Sequence, residues 1–126
     1  MGLLTDRPAV TFVLTRDRQR LKPFYQDILG LRQLSEDPFG TVYDLNGATL
    51  RLTTVEAHVA SLHTVLGWEV ADIVATAKDL REKGVSINIY PGFGQDDLGI
   101  WSSPDGRTRV LWFNDPEGNG LSLTQG

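Results

Sequence analysis

The sequence predicts an α+β fold in which two βαβββ modules follow one another along the chain. An internal repeat carries this prediction, because segments 44–53 and 115–124 match in register at an Asp, a Gly, two Leu and a Thr. Each copy reads as a turn, in which Gly supplies a positive φ, followed by a strand that alternates with period two. A strand and an amphipathic helix precede each copy, so the repeat extends over most of the chain.

The first module is expected at residues 8–54. It opens with a strand at 9–15, after which Asp17 is suited to cap a helix. Apolar residues then recur with helical spacing up to Gly30, which is a natural helix stop. These apolar residues are Leu21, Phe24, Tyr25, Ile28 and Leu29. About three strands follow, the last of them at 48–54.

The second module is expected at residues 64–126, after a linker near 55–63, and the two modules together make one domain of residues 1–126. It repeats the order of a strand, a capping residue (Asp72) and an amphipathic helix. From its capping Asp to its turn Asp it spans 43 residues, against 27 in the first module. The excess lies in a loop near 91–106, and a long excursion of this kind is often functional.

Composition excludes several classes of protein. The chain has 126 residues, a formal net charge of −4, no Cys and two His. The absence of Cys excludes a disulfide framework and a thiolate site, and the acidic balance argues against nucleic acid or an anionic membrane as partner. No apolar run approaches twenty residues and no signal peptide is visible, so a cytoplasmic location is expected.

Period two also predicts an open face on each sheet, opposite the leucine-rich face that packs under the helix. Phe12, Thr49 and Arg51 fall on the open face of the first module, and Glu69 and Ser122 on that of the second. These mixed faces could curl around a cavity. The alternative is that both faces are simply solvated.

Two motifs resemble the vicinal oxygen chelate superfamily, which includes glyoxalase I, bleomycin-resistance proteins and extradiol dioxygenases. The first motif consists of Asp17, Phe24-Tyr25 and Leu29-Gly30-Leu31. The second runs from Trp112 through the Asp115-Pro116-Glu117-Gly118-Asn119 turn to Leu121-Ser122-Leu123. The resemblance implies that the two modules form an open, barrel-like cavity, usually in a homodimer.

The same resemblance implies where a divalent metal would be held, with one ligand from the first and last strand of each module. In this sequence the corresponding positions are Val10, Arg51, Val65 and Ser122. Val has no donor atom, Arg is a permanent cation, and Ser is a poor ligand without carboxylate help. We therefore expect no metal and no other cofactor, as in the metal-free branch that includes antibiotic-sequestering proteins.

Aromatic and polar side chains are the candidates for binding a ligand. The full set is Phe12, Phe39, Tyr43, Thr49, Arg51, Glu69, Tyr90, Phe93, Trp101, Trp112 and Ser122. Aromatic walls suit a flat, mostly apolar ligand, although each ring has core packing as its alternative. Trp101 is the strongest candidate, because it stands among turn residues. Arg51 either holds an anionic group of the ligand or forms an internal pair with Glu69.

These residues predict a metal-free protein that sequesters a flat aromatic or antibiotic-like small molecule. No catalytic residue is assigned, because His58 and His63 lie in the linker and no nucleophile–base pair is visible. The alternative is a metal-independent lyase, isomerase or hydrolase that uses Glu69 or Arg51. A metal-dependent glyoxalase or dioxygenase with displaced ligands ranks third.

Overall fold

A computed structural model describes residues 2–126, which form the predicted α+β fold with few helices and two four-stranded sheets. The chain divides into two compact units, the first ending at Val59 and the second beginning at Ala60. The first unit contains β1 (Val10–Thr15), α1 (Arg18–Pro23), a π-helical turn (Phe24–Ile28), β2 (Gln33–Glu36), β3 (Gly40–Asp44) and β4 (Thr49–Thr54). The second contains β5 (Thr64–Glu69), α2 (Ile73–Glu82), β6 (Trp101–Ser102), β7 (Arg109–Asn114) and β8 (Gly120–Gln125). Among residues 2–126, no helix has the length and apolar character that crossing a bilayer requires.

The sheet of the first unit has the strand order β1-β4-β3-β2 and is open at both edges. β1 runs parallel to β4, and the other pairs are antiparallel. Leu50 and Leu52 are fully buried, whereas Thr49 and Arg51, which alternate with them, are only half-buried. The period-two assignment of β4 is therefore confirmed.

The helix of the first unit begins as predicted but ends differently. Asp17 caps it, because its carboxylate accepts the N–H of Gln19 at 3.1 Å. The sequence predicts one regular amphipathic helix, yet the helix widens into a π-helical turn after Pro23. Pro23 has no N–H to donate to the preceding turn, and the next turn instead closes from the Leu29 N–H to the Phe24 carbonyl at 2.9 Å.

The second sheet repeats this arrangement with the strand order β5-β8-β7-β6. Its helix α2 packs on β7 and β8, where alternate apolar side chains are buried. These are Leu111, Phe113, Leu121 and Leu123. Asp72 caps α2 by accepting the Ala75 N–H at 3.1 Å. β6 has only two residues, and the segment between α2 and β6 is mostly irregular, with an isolated bridge from Ile87 to Phe113.

The repeated turn has the same construction in both units. Asp44 accepts the Asn46 N–H at 3.0 Å, and Asp115 accepts the Glu117 N–H at 2.9 Å. The matched glycines, Gly47 and Gly118, have φ of 100° and 97°, as the repeat predicts for its Gly position. Asp115, which belongs to the second motif that resembles the superfamily, is only 4% exposed. Its hydrogen bond to the Glu117 N–H shows that it stabilises the turn that joins β7 to β8.

Candidate functional site

An open pocket with aromatic walls lies in the second unit, and we call it the aromatic pocket. It has a volume of about 450 Å³ and is lined by Gly92, Phe93, Trp101 and Trp112. The ring of Tyr90 lies beside it, with centroids 5.5 Å from Phe93 and 5.7 Å from Trp112. The rings of Phe93 and Trp112 are 6.1 Å apart and nearly perpendicular. These aromatics were candidates from the sequence, and the structure brings them together.

Strand geometry explains how two of these rings reach the pocket. Trp112 lies on β7 between the buried residues Leu111 and Phe113, so its side chain is on the face opposite α2. Trp101 lies on β6, directly across from Val110 of β7. Phe93 and Tyr90 come from the irregular segment before β6. The sheet therefore supplies Trp101 and Trp112 to the lining of the pocket, the loop supplies Gly92 and Phe93, and Tyr90 supports Phe93 from beside it.

The side chain of Gln95 holds the loop in place. Its Oε1 accepts the backbone N–H of Tyr90 at 2.7 Å. Its Nε2 donates to the carbonyls of Asn88 at 2.9 Å and Gly99 at 2.7 Å. One amide therefore joins the outgoing and returning segments of the loop, which holds the aromatic walls in position. Sequence reasoning missed Gln95 and Gly92; a lone amide within a glycine-rich loop is the signal that points to such a role for Gln95.

The sheet face beside Trp112 carries small side chains. Ser122 of β8 lies directly across from Trp112 and also from Gly67 of β5. The Ser122 hydroxyl occupies the space in which a Cβ at position 67 would lie, so Gly67 is required for this close approach. Glu69 is exposed and follows on the same face of β5. The face next to the aromatic pocket therefore combines small side chains with one exposed carboxylate.

Other candidates belong to the open face of the first unit. Phe12 lies across from Arg51 in the parallel pair, and Thr49 lies across from Val10. Phe12 is 59% exposed, which agrees with its assignment to the face opposite the helix. Phe39 is 70% exposed in the turn between β2 and β3. These side chains leave apolar surface in water, although none of them belongs to the aromatic pocket.

Arg51 forms an internal ion pair, which was one of the two roles expected from the sequence, but its partner differs from the one expected. Its Nη2 lies 2.8 Å and 3.1 Å from the two carboxylate oxygens of Asp37, whereas the sequence suggested Glu69. Asp37 also accepts the N–H groups of Phe39 and Gly40, at 2.8 Å and 2.9 Å. The hydrogen bond from Arg51, followed by that from the Phe39 N–H, lowers the pKa of Asp37. In this structure Arg51 fastens the β2–β3 turn.

Tyr43 was expected to line a ligand site, but the structure buries it fully in the first unit. Its ring stacks on that of Tyr25 with centroids 6.2 Å apart, and its hydroxyl accepts a hydrogen bond from Gln26 at 3.1 Å. Alternate residues of a strand lie on the same face of the sheet, and in β3 Thr41 and Tyr43 lie on the face that packs against the helix. Burial raises the pKa of Tyr43 above its usual value.

The residues at the positions implied for a metal do not fit one. Val10 and Val65 offer no donor, and the Arg51 guanidinium is already bound to a carboxylate. The fourth position, Ser122, supplies one hydroxyl against Gly67. Among residues 2–126, no three His, Asp or Glu side chains come together as a possible ligand set.

Comparison with known proteins supports the resemblance seen in the sequence. Residues 7–123 match the model of the Glyoxalase/Bleomycin resistance protein/Dioxygenase superfamily. Two solved structures share 21% identity with the chain. One is a member of that superfamily from Sphaerobacter thermophilus DSM 20745, with a TM-score of 0.75 over 98% of this chain and 100% of that one. The other is TnmS3, an antibiotic binding protein from Streptomyces sp. CB03234, with a TM-score of 0.74 over 98% of each chain.

A third structure, lactoylglutathione lyase from Agrobacterium tumefaciens, is 14% identical, with a TM-score of 0.72 over 94% of this chain and 92% of that one. At these identities the structures establish a shared fold, and they include both a binding protein and an enzyme. The search of curated proteins gives no match. Because the superfamily model covers nearly the whole chain, the protein belongs to the glyoxalase/bleomycin resistance protein/dioxygenase superfamily.

Proposed function

We propose that this protein binds and sequesters a flat aromatic or antibiotic-like small molecule, without a metal and without converting it. The aromatic pocket is the observation that carries the proposal. Trp112 meets Tyr90 and Phe93 edge to face at 5.7 Å and 6.1 Å, and the rings of Tyr90 and Phe93 are tilted to one another at 5.5 Å. A planar ligand could therefore stack on one ring while touching the edge of another. Concave, mostly apolar sites with few polar groups are typical of small-molecule binding.

Two further observations support a binding protein of the metal-free branch. The four implied ligand positions lack a donor set for a divalent ion, as described above. A structure of the same fold, TnmS3, is described as an antibiotic binding protein. Sequestration needs only tight binding and enough protein, since the free compound falls as the complex forms. The proposed site therefore requires no catalytic group.

Fluorescence titration tests this proposal, because Trp101 and Trp112 line the aromatic pocket. We expect 2-naphthol to quench tryptophan emission with saturation, and decahydro-2-naphthol, which has the same hydroxyl but is not planar, to bind at least about tenfold more weakly. Trp112→Ala should weaken 2-naphthol binding by about tenfold or more, since it removes a ring contact and its buried area.

Trp68→Phe is the matched control for this titration. Trp68 lies on β5 with the parity of the helix side, away from Trp112, so its replacement should change the emission but not the affinity. Equal affinity of wild type and Trp112→Ala would refute the location of the site. Conversion of a bound aromatic compound over hours, detected by chromatography, would contradict sequestration and favour an enzyme.

The oligomeric state, the cellular location and the module boundaries of the protein are part of the same proposal. We propose that the functional form is a cytoplasmic homodimer and that the units correspond to modules 8–54 and 64–126 within one domain. Sedimentation equilibrium of the full chain should give twice the mass of 13.9 kDa. Cell fractionation should recover the protein with cytoplasmic markers. A monomer at micromolar concentration would refute the dimer while leaving the aromatic pocket unaffected.

A further inference from the structure

A second pocket adjoins the aromatic pocket in the second unit, and we call it the amide pocket. Its volume is about 590 Å³. It is lined by Ala60, Ser61, Leu62, Asn88, Ile89, Tyr90, Asn114 and Gly118. Tyr90 forms a boundary between the two pockets, because its ring contacts Phe93 and Trp112 while its side chain also lines the amide pocket.

The polar groups of the amide pocket are partly committed to one another. Asn88 Nδ2 donates to Asn114 Oδ1 at 2.7 Å and lies 3.4 Å from the Tyr90 hydroxyl oxygen. Asn114 Nδ2 donates to the Gly118 carbonyl at 3.0 Å. These bonds fix the orientation of both amides. Within residues 2–126, these bonds leave unused the acceptor Asn88 Oδ1, the donor Tyr90 O–H and the second N–H of Asn114 Nδ2.

The charge of the amide pocket further limits what it can accept. Among the described residues that line it, none is acidic or basic. The polar pair is flanked by apolar surface, since Leu62 is 98% exposed and Ile89 is 61% exposed. A charged group would lose its hydration here without gaining a counter-ion, whereas a neutral group can exchange hydrogen bonds with water for hydrogen bonds with the chain.

We propose that the ligand has two parts: a planar aromatic group for the aromatic pocket and an uncharged, hydrogen-bonding arm for the amide pocket. The arm both donates to Asn88 Oδ1 and accepts from the Tyr90 hydroxyl. Sugar hydroxyls and carboxamides share this chemistry. The inference rests on the proposed function, because it assumes that the aromatic pocket binds the ring system.

Four naphthyl probes test the arm by calorimetric titration. 2-Naphthyl β-D-glucopyranoside and 2-naphthyloxyacetamide carry sugar and amide arms, 2-ethoxynaphthalene has an apolar arm, and 2-naphthyloxyacetate is the charged counterpart of the amide. We expect at least one neutral polar probe to bind about three- to tenfold more tightly than 2-ethoxynaphthalene per hydrogen bond formed. 2-Naphthyloxyacetate should bind no more tightly than 2-ethoxynaphthalene. Whichever neutral probe binds more tightly identifies the arm of the ligand as a sugar or as an amide.

Two variants locate the gain. Tyr90→Phe keeps the ring that borders the aromatic pocket but removes the hydroxyl, and Asn88→Ala removes the acceptor. Each should reduce the affinity for the polar probes by about three- to tenfold, the share of one hydrogen bond, and leave the affinity for 2-ethoxynaphthalene within about twofold. Trp112→Ala is the control that should weaken all probes alike. Unchanged circular dichroism of Tyr90→Phe keeps this test interpretable even if Asn88→Ala does not fold.

The outcomes separate this inference from the proposed function. If all four probes bind wild type equally and Trp112→Ala weakens them all, the amide pocket is not used but the aromatic site stands. If the charged acetate gains as much as the amide, a neutral arm is refuted. If no probe binds, both the proposed function and this inference fail.

Discussion

Replacing Asp115 by Ala should destabilise the second unit more than the equivalent replacement of Asp44 destabilises the first. Asp115 accepts the N–H groups of Glu117 and Asn119, both at 2.9 Å, and the Asn119 side-chain amide at 2.9 Å. Asn119 is only 2% exposed, so its donors cannot turn to water when the carboxylate is removed. At about 1–3 kcal/mol for each buried donor left unsatisfied, we expect a loss of about 3 kcal/mol.

Asp44 occupies the matched position of the repeat but has weaker surroundings. It accepts one backbone N–H, that of Asn46, and pairs with Arg32, whose side chain is 74% exposed. An exposed ion pair contributes little, and one turn-capping bond contributes about 1 kcal/mol. Asp44→Ala should therefore cost about 1 kcal/mol. The difference between the two variants measures how far the turns have diverged in packing while keeping the same backbone.

Urea denaturation at neutral pH provides the assay. Far-UV circular dichroism follows the secondary structure of the whole chain, and tryptophan fluorescence reports on the second unit, which holds all three Trp. With an unchanged slope, the shift of the midpoint gives the change in stability. Equal losses in the two variants, or a loss below about 1 kcal/mol for Asp115→Ala, would refute the argument from buried donors.

Two other predictions concern charge and the loop. Because the folded state lowers the pKa of Asp37, its carboxylate stabilises the fold above its ordinary pKa of 3.8, and this contribution is lost as pH falls through the lower folded value. Asp37→Asn should therefore flatten the acid limb of stability between pH 5 and pH 2 in urea titrations, and an unchanged limb would contradict the pairing with Arg51. Gln95→Ala should increase the rate of amide hydrogen exchange at Tyr90 by about tenfold or more, because it removes three hydrogen bonds that hold the loop. The amides of α2 should stay protected. Equal exchange at Tyr90 in both proteins would show that Gln95 does not hold the loop.

Features set by neighbours in sequence were predictable. Asp17 and Asp72 cap helices because each carboxylate needs to reach a donor only two or three residues ahead. Burial of Leu50 and Leu52 follows from strand alternation alone. The repeated turn was visible because its Asp and Gly serve a local backbone conformation, which leaves a direct trace in the sequence.

Features that depend on which segments meet were not predictable. Arg51 finds Asp37 because the β2–β3 turn returns the chain to β4, and a register shift between Gln33 and Ser35 helps to set that return. Tyr43 is buried because the pairing of β3 with β4 places its side chain on the helix side of the sheet, and no local sequence pattern determined that side. The sequence identified the aromatic candidates at 90–112 one by one. That they come together in one pocket depends on hydrogen bonds from Gln95 to carbonyls four and seven positions away, which the sequence pattern does not show.

The anchoring of the loop by a single amide has a consequence for how the aromatic pocket can change. Gln95 fixes the loop at Asn88, Tyr90 and Gly99, while residues 91–94 between these anchors are exposed. Substitution there alters one wall of the aromatic pocket without disturbing a buried strand or helix. The segment is an exchangeable insert on a fixed frame, so the preference of the proposed ligand site could change there at little cost in stability.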